Sequence, residues 1–283
     1  MIQQARAVVF LLSMVLVLPS IAGSQPAPAA EMLVSTAWLA RHLTDPGVAI
    51  SAATDAGEYA SGHIPGARMI SHEATLGPSG HVVTAPDALA IALARAGARD
   101  DVRIVVYGGP MESGWIYMVL ASLGHADHVS LLSGNLAAWK ADGHPVSRDP
   151  VPPAAGRLTP RPTSGVVVDA PWVRERLEDK AVRVLDVRSE RERAGGYLPG
   201  TPLVLWKDLY QDSNQFRFKS REELRALLDR AGVRPGQQVV TYCAVGMRAS
   251  LMYFAARYAG HDARVYVGSW QDWSARPGYP VVR

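Results

Sequence analysis

The sequence predicts an α/β protein of two like domains, each a mostly parallel sheet with helices on both faces. Three observations predict it: a landmark pattern that recurs 134 to 136 residues later, short apolar runs alternating with helical patterns, and a proline-rich stretch between the copies. Trp38, Pro65-Gly66, Gly134 and Trp139 return as Trp172, Pro199-Gly200, Gly268 and Trp273 at a constant offset of 134. Tyr107, Gly124-His125 and Pro145 return as Tyr242, Gly260-His261 and Pro280 with one or two residues of drift. A period this long marks a duplicated domain, because solenoid repeats run at about 20–50 residues.

The elements follow in order. Within the second copy, Val182 to Val187, Gln238 to Tyr242 and Val265 to Val267 read as buried strands. Pro171 to Leu177, Arg221 to Ala231 and Ala249 to Ala259 read as helices, with Asp169 as an N-cap and Gly232 and Gly260 as terminating glycines. Strands alternating with helices specify a parallel sheet covered on both sides. The first copy occupies residues 32–147 and the second 164–283. Between them, residues 148–163 hold Pro150, Pro152, Pro153, Pro160 and Pro162 without apolar periodicity, which reads as a semi-rigid extended linker.

Composition excludes several classes. Of 283 residues, 48% are hydrophobic and 19% charged, enough apolar surface for packed cores and too much for disorder or a coiled-coil rod. Lys and Arg number 29 against 26 Asp and Glu, a net charge of +3 with no basic block, so a nucleic-acid partner is not expected. Residues 1–22 read as a secretory signal: Arg6, an apolar run from Ala7 to Leu18, Pro19, then small residues ending at Ala22. The run is shorter than the roughly 20 residues a membrane span needs. The expectation is export to the periplasm or medium, without stable membrane insertion. Cys243 is the only cysteine, so no internal disulfide can form.

Ligand chemistry in such sheets gathers at the carboxyl ends of strands. The β-rich run Gln238 to Tyr242 ends there, and a six-residue loop, Cys243-Ala244-Val245-Gly246-Met247-Arg248, leads into an apolar helix. Backbone N–H groups of a tight loop form an anion-binding concavity, the helix dipole adds partial positive charge, and Arg248 adds a full one. Such surroundings favour thiolate over thiol. Gly246 permits the left-handed backbone a cradle requires. By position alone a cysteine after a strand reads as a small buried hydrophobe. The duplicate argues otherwise, since its matching loop, Gly108-Gly109-Pro110-Met111-Glu112-Ser113, has Gly for Cys and Ser for Arg.

Supporting residues are read from the neighbouring strand. Asp186 and Arg188 stand at its end and read either as orienting Arg248 or the loop, with Arg188 also a substrate contact, or as an ordinary ion pair at a strand end. Their counterparts in the first copy are Ala52 and Thr54, which lack the charge. Ser189-Glu190-Arg191-Glu192-Arg193 reads as a solvated mixed-sign face from which one arginine could guard a pocket. His63 and the recurring tryptophans read as structural.

These residues resemble the tandem-domain rhodaneses, the thiosulfate and 3-mercaptopyruvate sulfurtransferases. The resemblance is carried by the Cys243 to Arg248 loop and by Gly62-His63-Ile64-Pro65-Gly66-Ala67 with its echo Gly196-Tyr197-Leu198-Pro199-Gly200. Leu185-Asp186-Val187-Arg188, Gly268 to Trp273 and Gly278-Tyr279-Pro280-Val281 add to it. It implies two rhodanese-like domains, the first inactive. It implies a persulfide on Cys243 and no metal or organic cofactor. It further implies a small anionic sulfur donor and a cyanide or thiol acceptor. Ala244, Val245, Gly246 and Met247 would then line the donor site with Arg248. Two other classes share features of this reading: cysteine phosphatases and arsenate reductases, whose loops place five residues between Cys and Arg where this chain has four, and non-enzymatic persulfide carriers or sensors.

Overall fold

The computed structural model describes residues 31–76, 85–154 and 156–283; the export signal read at residues 1–22 lies outside them. The first domain runs β1 (Leu33–Ser35), α1 (Thr36–Arg41), β2 (Val48–Ala53), α2 (Ala56–Ser61), β3 (Arg68–Ile70), α3 (Pro86–Arg95), β4 (Arg103–Gly108), α4 (Pro110–Ser122), β5 (Val129–Ser133) and α5 (Leu136–Ala141). The second runs β6 (Val167–Val168), α6 (Ala170–Glu175), β7 (Val182–Asp186), α7 (Glu190–Arg193), α8 (Arg221–Arg230), β8 (Gln238–Tyr242), α9 (Met247–Tyr258), β9 (Ala263–Tyr266) and α10 (Ser269–Ser274). Both sheets pair in parallel, in the orders β1-β5-β4-β2-β3 and β6-β9-β8-β7. The strands are continuous apolar runs because both faces are covered.

Alternation along the strands divides the core. Ile104 and Val106 face one layer, and Val105 and Tyr107 the other, where Leu39 of α1 and Trp139 of α5 cover them. In the second domain Val240 and Tyr242 face Val173 of α6 and Trp273 of α10, while Val239 and Cys243 face the opposite layer. That opposite layer is shared: α3 and α4 of the first domain and α8 and α9 of the second bury their apolar faces in one continuous core. Gly114 lets α4 lie against α9, for a Cβ there would stand 2.6 Å from the Leu251 Cα.

The repeated landmarks have matching structural duties. Trp139 Nε1 donates to the Pro145 carbonyl, and Trp273 Nε1 donates to that of Pro280. The Tyr107 hydroxyl accepts from the Ile64 N–H, and the Tyr242 hydroxyl from the Leu198 N–H. Asp169 caps α6 by accepting from the Trp172 N–H at 2.9 Å.

Besides shifts of one or two residues at other element ends, two boundaries near the loop differ from the sequence reading. Helix α9 begins at Met247, so the loop is four residues, Cys243 to Gly246, and Met247 and Arg248 belong to the first helical turn. Strand β9 begins two residues early, at Ala263, where it pairs with Val239. The proline-rich stretch forms neither helix nor strand among its described residues, and it is strapped to the first domain. Ala154, Arg161 and Thr163 donate backbone N–H groups to the Arg95, Leu123 and Ser122 carbonyls, and Leu158 is buried. Those bonds satisfy backbone groups that proline-interrupted chain cannot satisfy within itself. Among the described residues no helix is long and apolar enough to cross a membrane.

Candidate active site

Strand β8 delivers Cys243 to the carboxyl end of the second sheet, one residue after Tyr242. The side chain is fully buried, at 0% exposure, and belongs to the shared core on one side. Its sulfur is not left to apolar contacts alone: the Gly246 N–H donates to Sγ at 3.1 Å. Gly246 reaches that position with φ of 96°, and a Cβ on it would press within 2.8 Å of the Val267 carbonyl oxygen, so only glycine closes the loop. The Cys243 backbone N–H donates to Ser269 Oγ at 3.0 Å, and the Cys243 and Ala244 carbonyls accept from the Trp270 and Gln271 N–H groups. The loop is thereby pinned to the start of α10. Val245 stands at its tip, 52% exposed.

Ser269 is a site residue that the sequence reading missed. Its Oγ lies 4.0 Å from the sulfur and donates to the Tyr266 carbonyl, and its backbone has φ of 54°. A left-handed serine costs free energy and persists where the surroundings fix it. The counterpart in the first domain, Asn135, has an ordinary extended backbone and caps α5. The residue type at 269 carried no signal by itself; the departure from the copy did.

Arg248 is held by Glu192. Its two terminal nitrogens donate to the two carboxylate oxygens at 2.6 and 2.7 Å, and the guanidinium is 17% exposed. A cation in the first turn of a helix opposes the helix dipole, and the carboxylate offsets that cost. The Arg248 bond holds the Glu192 carboxyl down to about 2, against the opposing effect of burial, with Ser189 assisting. Glu192 in turn raises the Arg248 pKa, against burial, and the nearby Cys243 sulfur acts in the same direction. Glu192 also closes a capping box with Ser189 at the head of α7. The mixed-sign run is thus a solvated face only at Glu190 and Arg191, while Ser189, Glu192 and Arg193 are engaged in the fold. Its Ser-x-x-Glu pattern was the available signal.

Asp186 and Arg188 form the ion pair at the strand end and do not orient Arg248 directly. Arg188 is 1% exposed and donates to both Asp186 oxygens, at 2.9 and 2.7 Å, and to the Gly196 carbonyl. Burial alone would lower its pKa, but the Asp186 charge prevails and raises it. Its donors are engaged inside the fold, and it also borders the cavity lined by Arg191, Lys207 and Trp206. Asp186 further accepts from Arg193 and from the Tyr242 hydroxyl, and it does not touch Arg248. A buried carboxylate with three partners on adjacent elements braces the ends of β7 and β8 instead. Of the neighbouring arginines, Arg193 is committed to Asp186 and the Thr201 carbonyl. Arg191 lines a cavity of about 340 Å³ with Lys207 and Trp206. Among the described residues neither Arg191 nor Lys207 has an ion-pair partner.

Comparison with known proteins agrees with this geometry. The family described as Rhodanese-like domain matches the chain twice, over residues 35–142 and 169–276. The chain is 28% identical over 265 residues to the thiosulfate sulfurtransferase of Azotobacter vinelandii, covering 88% of this chain and 96% of that protein. It is 28% identical over 279 residues to the sulfur carrier protein TtuD of Thermus thermophilus, covering 89% and 97%. The crystal structure of the Escherichia coli 3-mercaptopyruvate sulfotransferase SseA superposes with a TM-score of 0.74 at 25% identity, covering 84% of this chain and 98% of that one.

Proposed function

The chain belongs to the rhodanese family of sulfurtransferases, and from that premise we propose that Cys243 ferries sulfane sulfur from a thiosulfate-like anion to cyanide or a thiol. The observation that carries the reading is the Gly246 N–H aimed at Sγ inside a loop with a left-handed glycine. In the first half-reaction the Cys243 thiolate attacks the outer sulfur of thiosulfate. A sulfur–sulfur bond forms on the cysteine, the bond to the sulfonyl sulfur breaks, and sulfite departs with the electron pair. In the second, the acceptor attacks the terminal sulfur of the persulfide and the thiolate is restored. Splitting one transfer into two displacements is covalent catalysis. The loop amides and Arg248 meet the negative charge that develops.

The test is turnover of thiosulfate and cyanide to thiocyanate, with an aryl phosphate run alongside. Hydrolysis of the phosphate in place of thiocyanate formation would overturn the reading. A mass increase of one sulfur on Cys243 after donor alone, lost on adding cyanide, identifies the intermediate. The full burial of Cys243 and the likeness to a sulfur carrier favour a second reading, delivery to a protein thiol. A persulfide that forms but is not discharged by any small acceptor would select it. Export rests on residues 1–22 alone, and cell fractionation with N-terminal sequencing checks it.

A further inference from the structure

The first domain holds a cavity of about 330 Å³ at the carboxyl ends of β2 and β4, where its sister keeps the reactive loop. Position by position, this is the space of a missing guanidinium. In the second domain the space contains Arg188, whose guanidinium lies 4.7 Å from the centre of the Trp270 ring and 5.5 Å from that of Tyr242. It donates to the Gly196 carbonyl at 2.8 Å. The constant offset puts Thr54 in the place of Arg188, Leu136 in that of Trp270 and Gly62 in that of Gly196. Two large side chains are replaced by small ones, and the void between them is lined by Thr54, Leu136, Gly62 and Tyr107.

The first domain has Ala52 where Asp186 pairs with Arg188, and the carboxylate it retains nearby is the counterpart of the one that holds Arg248. Glu58 stands where Glu192 does and lines the cavity, yet the position of its arginine partner is taken by Ser113. Among the described residues, Thr54 is the only side chain that donates to the Glu58 carboxylate. No lysine or arginine lines the cavity; Arg148, which bonds the Ser61 carbonyl, borders a separate depression. One wall is the Tyr59 ring stacked on His63 at 4.0 Å. Another is Phe216, brought across from the second domain.

Phe216 has φ of 51°, and among the described residues only it and Ser269 are left-handed without being glycine. One sits at each domain's site. Its loop is fastened to the first domain, where the Asn135 N–H and side-chain amide donate to the Gln215 and Asn214 carbonyls and Arg217 pairs with Asp142. Strain of this kind is sustained only where neighbours over-determine it, and it gathers at ligand sites.

We propose that this cavity binds a small guanidinium-bearing molecule, its planar cation filling the place vacated by Arg188 and pairing with Glu58. A guanidinium stacks on aromatic faces and presents a donor fork that matches a carboxylate, which is what the lining offers. The site is independent of the sulfur chemistry, so the two readings stand or fall separately. Titration calorimetry with methylguanidinium, and with methylurea as its neutral isostere, tests the proposal. Saturable binding of one methylguanidinium per chain is expected in the millimolar range, at least tenfold tighter than methylurea. Glu58→Gln should weaken it at least tenfold, and Leu136→Trp, which supplies the ring the sister domain uses, should abolish it. Thiosulfate turnover should be unchanged in Glu58→Gln, an exposed position that tolerates the change if Leu136→Trp fails to fold. Absence of saturable binding, equal binding of methylurea, or binding indifferent to Glu58→Gln would overturn the proposal.

Discussion

The two domains share four parallel strands, a pair of tryptophans and the turns they fasten, and part company most sharply at the end of one strand. In the second, β8 leads into Cys243, Gly246 and Arg248; in the first, β4 leads into Gly108, Gly109 and Pro110. The backbone diverged together with the side chains. Gly108 has φ of 148°, and a Cβ on it would lie 2.0 Å from the Ala53 carbonyl oxygen, so the chain occupies the room a cysteine would need. Around that point the first domain also lacks Asp186, Arg188 and Trp270, having Ala52, Thr54 and Leu136. The lesson is that Cys243 sits on a braced strand end and a pinned loop, and that the first domain lacks both together.

The difference can be broken at its centre. Cys243→Ser should lower thiocyanate formation by about a thousandfold or more, as loss of a covalent nucleophile does, while the unfolding midpoint stays close to wild type. Retained activity would return Cys243 to the core. Arg248→Ala, which makes the loop more like that of the first domain, should cost about a hundredfold in kcat/KM by removing positive charge from the developing anions. Ser269→Ala takes the acceptor from the Cys243 N–H but keeps the left-handed backbone, and about a fivefold fall in kcat is expected from one hydrogen bond. Unaltered kinetics would remove Ser269 from the site.

The same comparison predicts a pH effect and a null result. The folded Glu192 carboxyl is held at about 2, below its ordinary value of 4.5, so its contribution to stability is complete above about pH 4.5 and is lost as pH falls toward 2. Glu192→Gln should flatten the acid limb of the stability curve over that window, read by chemical denaturation at a series of pH values. Gly108→Cys, the reverse graft, should add no second persulfide on mass analysis. A second labelled cysteine would mean that the bracing around Cys243 is dispensable.

Much of this was legible in the residues. The offset of 134 announced the duplication because tryptophans and tyrosines that bond a fixed carbonyl or amide cannot drift relative to their partners. Cys243 was legible by elimination against the copy, and Gly246 by its need for a left-handed backbone. The partners were harder. Arg248 meets Glu192 from 56 positions away, and Arg188 turns inward although its neighbour Arg191 turns outward. Which arginine of a mixed run is buried depends on strand ends that only the folded sheet brings together. Ser269 was silent because its importance lies in a backbone angle.

Helices α4 and α9 share one apolar layer in which Gly114 lies against Leu251 and the Tyr117 ring meets that of Phe254 edge-on at 4.9 Å. Gly114→Ala, by wedging a methyl group into that contact, should destabilise the whole chain by about 1–3 kcal/mol. Separating the domains at the proline-rich strap would leave the second one with an oily flank facing water, prone to clump. The first domain therefore serves as a permanent cover on its sister's apolar side.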